Sequence, residues 1–586
     1  MKAIDLIKIP FSTRGAYTVF SIMKIDDASQ LFVRDIRGGD LDPGCLFMFK
    51  FEIEGLEGNL RAMSLSEIRF DATPSLLTAS YDGLPFMEIT FEDEDAFRIR
   101  TMSSAVVVKL AAVLNKYNTI AQIGVSDWEF TSYFKEVKMG IHKLNGEGTV
   151  LADWLAIGSK DIEIQLSRGG EWRIATYLVA EGVKPYKLAS FENCERRNHR
   201  KFISWSRQFK GSCNIPETIS PAMFEARIDE ASHILWQNFV KESGQLRYPA
   251  LYMTKNWMTN IWSWDNFFSA MGLMCASKRS AFEQLILFEK LQSPEGAFPD
   301  YANDRYASYS CNKPPLLGWC YNWMILNETS DDQSSKKTQT HYYKKPAQLN
   351  RIYKMAEKQT QYWLTYRMSE LGLPYYTHGN DSGWDNGTFF SEGVPVITPD
   401  LTTFLLLQMQ FLIDYAPDQM AAKQWQKSYD ILLTQLIDQL WDGETFVAIK
   451  WPENRVIKME GTLQRLLPLL LGKSLPEEIT FKMKRDLKGF ETPYGFATEK
   501  TDSPYYKYNG YWRGPIWAPT TLLMIDALKR TSEPEWANRI REKFINCVMT
   551  GAFAENFDPL TGEGLVDTGF AWTASVFTIL TCTKNE

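Results

Sequence analysis

Over the first 190 residues apolar and polar positions alternate in short runs, as in FKFEIEG (49–55) and IEIQL (162–166). A period of two puts successive side chains on opposite faces of a strand. Leu31–Asp35, Leu46–Ile53, Phe86–Phe91, Val106–Leu110, Asp161–Leu166 and Trp172–Leu178 read as strands, rich in Val, Ile, Phe and Thr. Turn clusters such as RGGDLDPG (37–44), YDGLP (81–85) and SRGGE (167–171) separate them. Many short strands with turns between them predict a β-sandwich over 1–190.

Near residue 190 the texture changes. ENCERRNHRK (192–201) is densely charged and NIPETISP (214–221) carries two prolines, so a linker is placed at 191–220. From Pro221 the period becomes helical. The candidates are 222–242, 267–276, 281–291, 315–326, 348–368, 402–415, 421–440, 461–471, 476–487, 516–529, 534–550 and 571–583. Asp400 is placed to N-cap the apolar run TFLLLQMQFLI (403–413). A dozen helices arranged as hairpins close into an (α/α)6 barrel over 221–586, although a solenoid or a bundle gives a similar count. Residues 328–345 form a polar, low-complexity loop.

Bulk properties narrow the function. The chain has 586 residues and a net charge of -7 with both signs scattered, which argues against a nucleic-acid partner. The N-terminal stretch lacks an apolar signal core and no run of about 18 apolar residues occurs, so no membrane partner and a cytoplasmic location are expected. The eight cysteines show no metal-like spacing and are expected as free thiols. GxSxG and HExxH are absent, and no dense acidic loop suggests calcium. No metal and no cofactor are expected. Aromatic residues reach 14%, with 19 Trp. A large core explains that composition, and so does a surface for the apolar face of a pyranose.

Four segments mix aromatics with carboxylates, Gly and Asn at the ends of predicted helices: NIWSWDNFF (260–268), DSGWDNG (381–387), YWRGPIW (511–517), and AENFDP (554–559) followed by FAWT (570–573). Glycosidic cleavage needs two carboxyl groups flanking the bond, together with aromatic walls and hydrogen bonds to hydroxyls. These segments offer all three. Asp265 is a candidate acceptor for sugar hydroxyls or an N-cap for the following helix. Arg513 offers planar donors to substrate oxygens or orients a carboxylate. Trp262, Trp264, Phe268, Trp384, Tyr511, Trp512, Trp517 and Trp572 are candidates for the aromatic wall. His378 reads as a loop hydrogen-bonder rather than a metal ligand, and Lys313 lies at the pocket or in solvent.

The order WSWDNFF, SGWDNG, YWRGPIW, AENFDPLTGEG and FAWTAS resembles glycoside hydrolase family 63 and is similar to the related trehalase family. SPEGAFPDYA (293–302), KPPLLGW (313–319) and TPYGFATE (492–499) support the resemblance, which spans about 255–575. It implies an inverting glycosidase on an (α/α)6 barrel, acting from the chain end on an α-linked, foremost α-glucosidic, small carbohydrate. Asp385 takes the place of the general acid and Glu555 that of the general base. Without the resemblance, Asp385 reads as a helix cap, and Asp558 or Glu563 as a rival base. Asp381 stands where the family often has Glu. Three other readings remain open: a glycoside phosphorylase, a sugar epimerase or isomerase, and a carbohydrate-binding protein without catalysis.

Overall fold

The computed structural model describes residues 4–582 apart from 26–27, 56–58, 103–104, 114–115, 167, 182–187, 212, 214, 216–218 and 329–340. The chain forms two compact units. One comprises Met1–Arg207, Ser232–Asn260 and Asn303–Arg305; the other comprises Gln208–Ala231, Ile261–Ala302 and Tyr306–Glu586.

The first unit is built on two antiparallel sheets. One runs, in spatial order, Thr18–Ile25, Ala28–Asp35, Cys45–Glu54, Val106–Ala112, Ser159–Leu166 and Thr149–Trp154, with Leu60–Ala62 also paired to Cys45–Glu54. The other runs Thr119–Gly124, Asp127–Ser132, Val137–Asn145, Glu171–Leu178, Ala96–Thr101, Leu84–Phe91, Leu77–Tyr81 and Arg69–Ala72. All six predicted strands lie within them. The alternation in 49–55 is used as the period requires, with Phe49 and Phe51 buried and Lys50 exposed. Rings from the two sheets meet: Phe20 lies 5.0 Å from Phe97, Phe47 4.7 Å from Phe130 and Phe51 5.6 Å from Phe86. The sheets therefore share one apolar core.

The expected linker is largely a helix. Phe191–Lys210 forms α1, followed by α2 at Pro221–Gln237. Phe191, Cys194, Asn198, Phe202, Trp205 and Phe209 are buried at spacings of three and four, which defines one face of a helix. The charges of ENCERRNHRK occupy the other faces. Asn198 donates to the Phe91 carbonyl at 2.5 Å and Trp205 Nε1 to the Ser232 carbonyl at 3.0 Å. Residues 212, 214 and 216–218 of that stretch lie outside the described residues.

The second unit is mainly helical. Its further helices are α3 (Ser263–Leu273), α4 (Lys278–Ile286), α5 (Leu317–Leu326), α6 (Pro346–Tyr366), α7 (Pro399–Asp414), α8 (Gln419–Leu440), α9 (Glu477–Leu487), α10 (Ala518–Arg530), α11 (Pro534–Gly551) and α12 (Ala571–Cys582). Local signals fix their starts. Ser277 and Asp418 cap α4 and α8, and Pro opens α6, α7 and α11. Two burial patterns separate the helices. Every residue of α3 and α12 is buried, whereas α8 buries only Tyr429, Leu432, Leu436 and Leu440. A helix apolar all round needs neighbours on all sides; a one-sided helix needs only one. The neighbours follow suit. α3, α5, α7, the 3-10 helix Leu463–Ser474, α10 and α12 each touch the next, and α12 returns to α3. α4, α6, α8, α9 and α11 each pack against one or two members of this ring.

Three expectations are corrected. The predicted helix 461–471 is the 3-10 helix Leu463–Ser474, with Pro468 inside it and a break at Gly472 (φ 55°). In an α-helix the proline ring would clash with the carbonyl four residues back. Asp400 is not the cap of α7; Thr398 holds that position and Asp400 lies inside the first turn, where Tyr376 donates to it at 3.1 Å. Asp265 does not cap its helix either, because α3 begins two residues earlier. Residues 329–340 of the polar loop lie outside the described residues. Among the described residues, no helix is long and apolar enough to cross a membrane.

Candidate active site

Short strands deliver the motifs to the helices of the ring. Ile261–Trp262 leads directly into α3, and Ile516–Trp517 directly into α10. Ile516–Trp517 also pairs with Ala554–Phe557, setting Trp517 opposite Asn556. YWRGPIW and AENF thus share one small sheet. Ile261–Trp262 pairs with Tyr301–Ala302, at the end of SPEGAFPDYA.

The DSGWDNG segment reaches the same place by side-chain ties. Asn386 Nδ2 donates to the Gly510 carbonyl at 3.0 Å, and its Oδ1 accepts from Trp512 N at 2.9 Å. Arg513 Nε donates to the Asn386 carbonyl at 2.6 Å and Nη2 to Ser391 Oγ at 3.1 Å. Of the two roles open to Arg513, its guanidinium is engaged in holding this loop. Gly383 has φ 74°, and a Cβ there would fall 2.2 Å from Cζ2 of Trp264. Only glycine meets both conditions, the left-handed backbone and the close approach of the indole.

The expected aromatic wall is mostly one packed cluster. Trp512 stacks on Trp517 at 3.9 Å with planes 4° apart, and Trp384 lies 5.1 Å from Trp512. Trp572 stands edge-on to Trp517 at 5.4 Å and to Trp264 at 6.4 Å, and Phe268 packs on Trp264 at 5.7 Å. All six are buried; Trp262 and Tyr511 are only half-buried. Tyr511 is also held at φ 63°, a conformation that costs a bulky residue energy and recurs at functional sites. Trp384 Nε1, Trp512 Nε1 and Asp265 Oδ2 are buried without a hydrogen-bond partner among the described residues.

The carboxyl groups gather beside this cluster. Glu555, 2% exposed, accepts from Tyr511 Oη at 3.1 Å. Burial pushes its carboxyl up to about 7; the Tyr511 hydrogen bond pulls it down, and Asp567 and Asp385 push it further up. Asp385 keeps 30% of its side chain exposed. Burial also raises its carboxyl, with Lys313 opposing and Asp300 reinforcing. Asp265, 4% exposed, is pushed up to about 8 by burial, against the pull of Lys313. It is therefore protonated at neutral pH, so one of its oxygens donates and the other accepts. A helix N-terminus favours a carboxylate by about 0.3–2 kcal/mol, and here burial outweighs it. The Tyr511 phenol is raised by burial and by Glu555 and Asp385, which places it within electrostatic reach of both.

Other predicted residues fall into supporting positions. Asp381 accepts from Thr377 N at 2.8 Å, His378 N at 3.0 Å and Asn312 N at 2.9 Å, so the acid sews two loops together. His378 Nδ1 accepts from Asn380 N at 3.0 Å. The rival bases are placed otherwise. Asp558 Oδ1 accepts from Leu560 N at 2.7 Å, closing a turn, and Glu563 is exposed. No group of His, Cys, Asp and Glu suited to a metal occurs among the described residues. The sequence reading passed over Asp300 and Asn386. Asp300 stood in the quoted SPEGAFPDYA and Asn386 beside Asp385, but nothing in their spacing marked them out.

Glu555, buried, and Asp385, half-buried, both have raised proton affinity beside the indole cluster, an arrangement suited to glycoside hydrolysis. The model of the mannosylglycerate hydrolase MGH1-like glycoside hydrolase domain matches residues 258–573, and the chain belongs to that family. The mannosylglycerate hydrolase of Thermus thermophilus is 20% identical over 396 residues, covering 54% of this chain and 92% of that protein. The probable mannosyl-oligosaccharide glucosidase of Schizosaccharomyces pombe is 25% identical over 238 residues, covering 35% and 29%. A bacterial glucoamylase crystallised with acarbose shares the fold at a TM-score of 0.59 and 10% identity, over 99% of this chain and 94% of that one.

Proposed function

We propose that the protein is an exo-acting, inverting α-glycosidase in which Asp385 is the general acid and Glu555 the general base. The proposal includes a β-sandwich, suggested by the shared core of the two sheets, and an (α/α)6 barrel, suggested by the ring of helices that returns to α3. The observation that carries the reading is the pairing of Asp385 and Glu555 around Tyr511. The two carboxyls feel one another and differ in setting. Glu555 is deep and accepts a phenol hydrogen bond, which favours its ionised form and aims it. Asp385 is the more exposed and is raised by burial, as suits a group that gives a proton to a departing oxygen. In the inverting reaction Glu555 takes a proton from water as that water attacks the anomeric carbon. Asp385 protonates the glycosidic oxygen as its bond to that carbon breaks. Asp265 supplies a polar group for the sugar hydroxyls, and Arg513 holds the acid's loop.

An α-glucoside is the first substrate to try, in line with the glucosidase among the relatives. An α-mannoside is the second reading, favoured by the mannosylglycerate hydrolase relative. The test is NMR of the fresh product from α-glucosyl and α-mannosyl glycosides, glycerate glycosides included, with wild type beside Asp385→Ala and Glu555→Ala. A β-anomer and two nearly inactive variants are expected. A retained anomer, or full activity in Glu555→Ala, would overturn the reading.

A further inference from the structure

One charged group at the site has no part in the scheme above. Lys313, 6% exposed, lies just before the double proline that leads to α5. Its ammonium donates to the Asn380 carbonyl at 2.6 Å and lies 3.2 Å from Asp300 Oδ1 and 3.9 Å from Asp385 Oδ1. Its backbone neighbour Asn312 is tied to Asp381. Residues 312–313 are thus fastened at two points to the loop that carries Asp385. Burial works against the ammonium, but Asp385 and Asp300 outweigh it and keep it charged.

We propose that Lys313 is a positioning residue for the reaction: held between Asn380, Asp300 and Asp385, it fixes the place of the Asp385 carboxyl and supplies the positive charge that this carboxyl faces. The proposal rests on the reading of Asp385 as the acid. Without a cation, burial and Asp300 would drive the proton affinity of Asp385 too high for rapid release. With a cation and no Asp300, the acid would lose its proton too early. The pair Lys313–Asp300 therefore acts as a balance set by geometry. Asp265, Asp300, His378, Tyr511 and Glu555 also bear on this cluster.

An opposite charge within about 4–6 Å lowers a carboxyl by about 1–3 pH units, and here the charge is shared with Asp300. Lys313→Met keeps the stem and removes the charge. The alkaline limb of kcat/KM, read on the fastest α-glycoside of the panel above, should move up by about one pH unit, with kcat about tenfold lower. Lys313→Arg should restore the limb, and Asp300→Asn should move it down. If Lys313→Met does not fold, Lys313→Gln, which also removes the charge, should move the limb up in the same way and carries the test. A readout free of turnover is the affinity for protonated 1-deoxynojirimycin by calorimetry. Lys313→Met, with one positive charge fewer, should bind it at least about fivefold more tightly. An unmoved limb in both Lys313→Met and Asp300→Asn, or unchanged or weaker binding of the amine, overturns the proposal. The acid reading fails separately: an Asp385→Asn variant as active as wild type sinks it whatever Lys313 does.

Discussion

Asp265 makes a prediction that can be worked through from its surroundings. In the folded chain its carboxyl holds a proton up to about pH 8, against an ordinary value of 3.8. In the unfolded chain it is ionised above about pH 4. Folding therefore takes up a proton between these limits. The stability associated with this group is fully present below about pH 4 and declines as pH rises, levelling off above about pH 8. The slope is about 1.4 kcal/mol per pH unit, or on the order of 4 kcal/mol between pH 5 and 8. Asp265→Asn keeps the shape and removes the titration. Thermal unfolding of both proteins, followed by tryptophan fluorescence from pH 5 to 8, isolates the contribution by difference. At roughly 2 °C or less per kcal/mol for a unit of this size, wild type should lose about 5 °C relative to the variant. A difference constant to within about 1 °C across that range would refute the assignment of a buried, protonated Asp265.

Other outcomes follow from the same geometry. Tyr511→Phe removes the hydrogen bond that pulls the Glu555 carboxyl down, so the acid limb of the pH–rate profile should rise by about half a pH unit or more; a limb that stays put contradicts the pairing. Asp385→Asn should lose about 10²–10⁴-fold in kcat on an alkyl glycoside but far less on α-glucosyl fluoride, whose leaving group needs little protonation. Equal losses on both would remove Asp385 from the acid role. Gly383→Ala forces a Cβ to within 2.2 Å of Trp264 Cζ2 at φ 74°, and should lower the unfolding midpoint and abolish activity together, as checked by fluorescence melting and product assay. Arg513→Met should free the 386–391 loop and cut kcat/KM about tenfold or more, whereas a variant with wild-type kinetics would show that Asn386 alone holds it.

Much of this was legible in the chain, for stateable reasons. The strand in 49–55 could be read because Lys50 lies between two buried phenylalanines, and α7 because TFLLLQMQFLI is apolar on every side. The helix α1 was missed because its charges are dense: Glu192, Glu195, Arg196 and Arg197 hide the spacing of Phe191, Cys194, Asn198 and Phe202. The small sheets left no trace either, since a two-residue strand such as Ile516–Trp517 has no period. Asp385 and Glu555 stood out through their motifs. Asp300 did not, because its significance is its contact with Lys313, a residue the sequence placed at the pocket or in solvent. The tryptophans were legible as a set. That most of them face each other is a property of packing, which composition does not contain.

Trp572 closes the indole cluster from α12, and the partner it meets edge-on, Trp264, precedes it by 308 residues. A ribosome adding about 5–20 residues per second needs on the order of 15–60 s to travel that distance. For that interval the N-terminal side of the site exists without its C-terminal side, and α3 waits without α12, which packs against it. Assembly of this site is therefore a late, nonlocal event of biosynthesis. The nascent chain depends on whatever shields α3 until the last helix of the ring arrives.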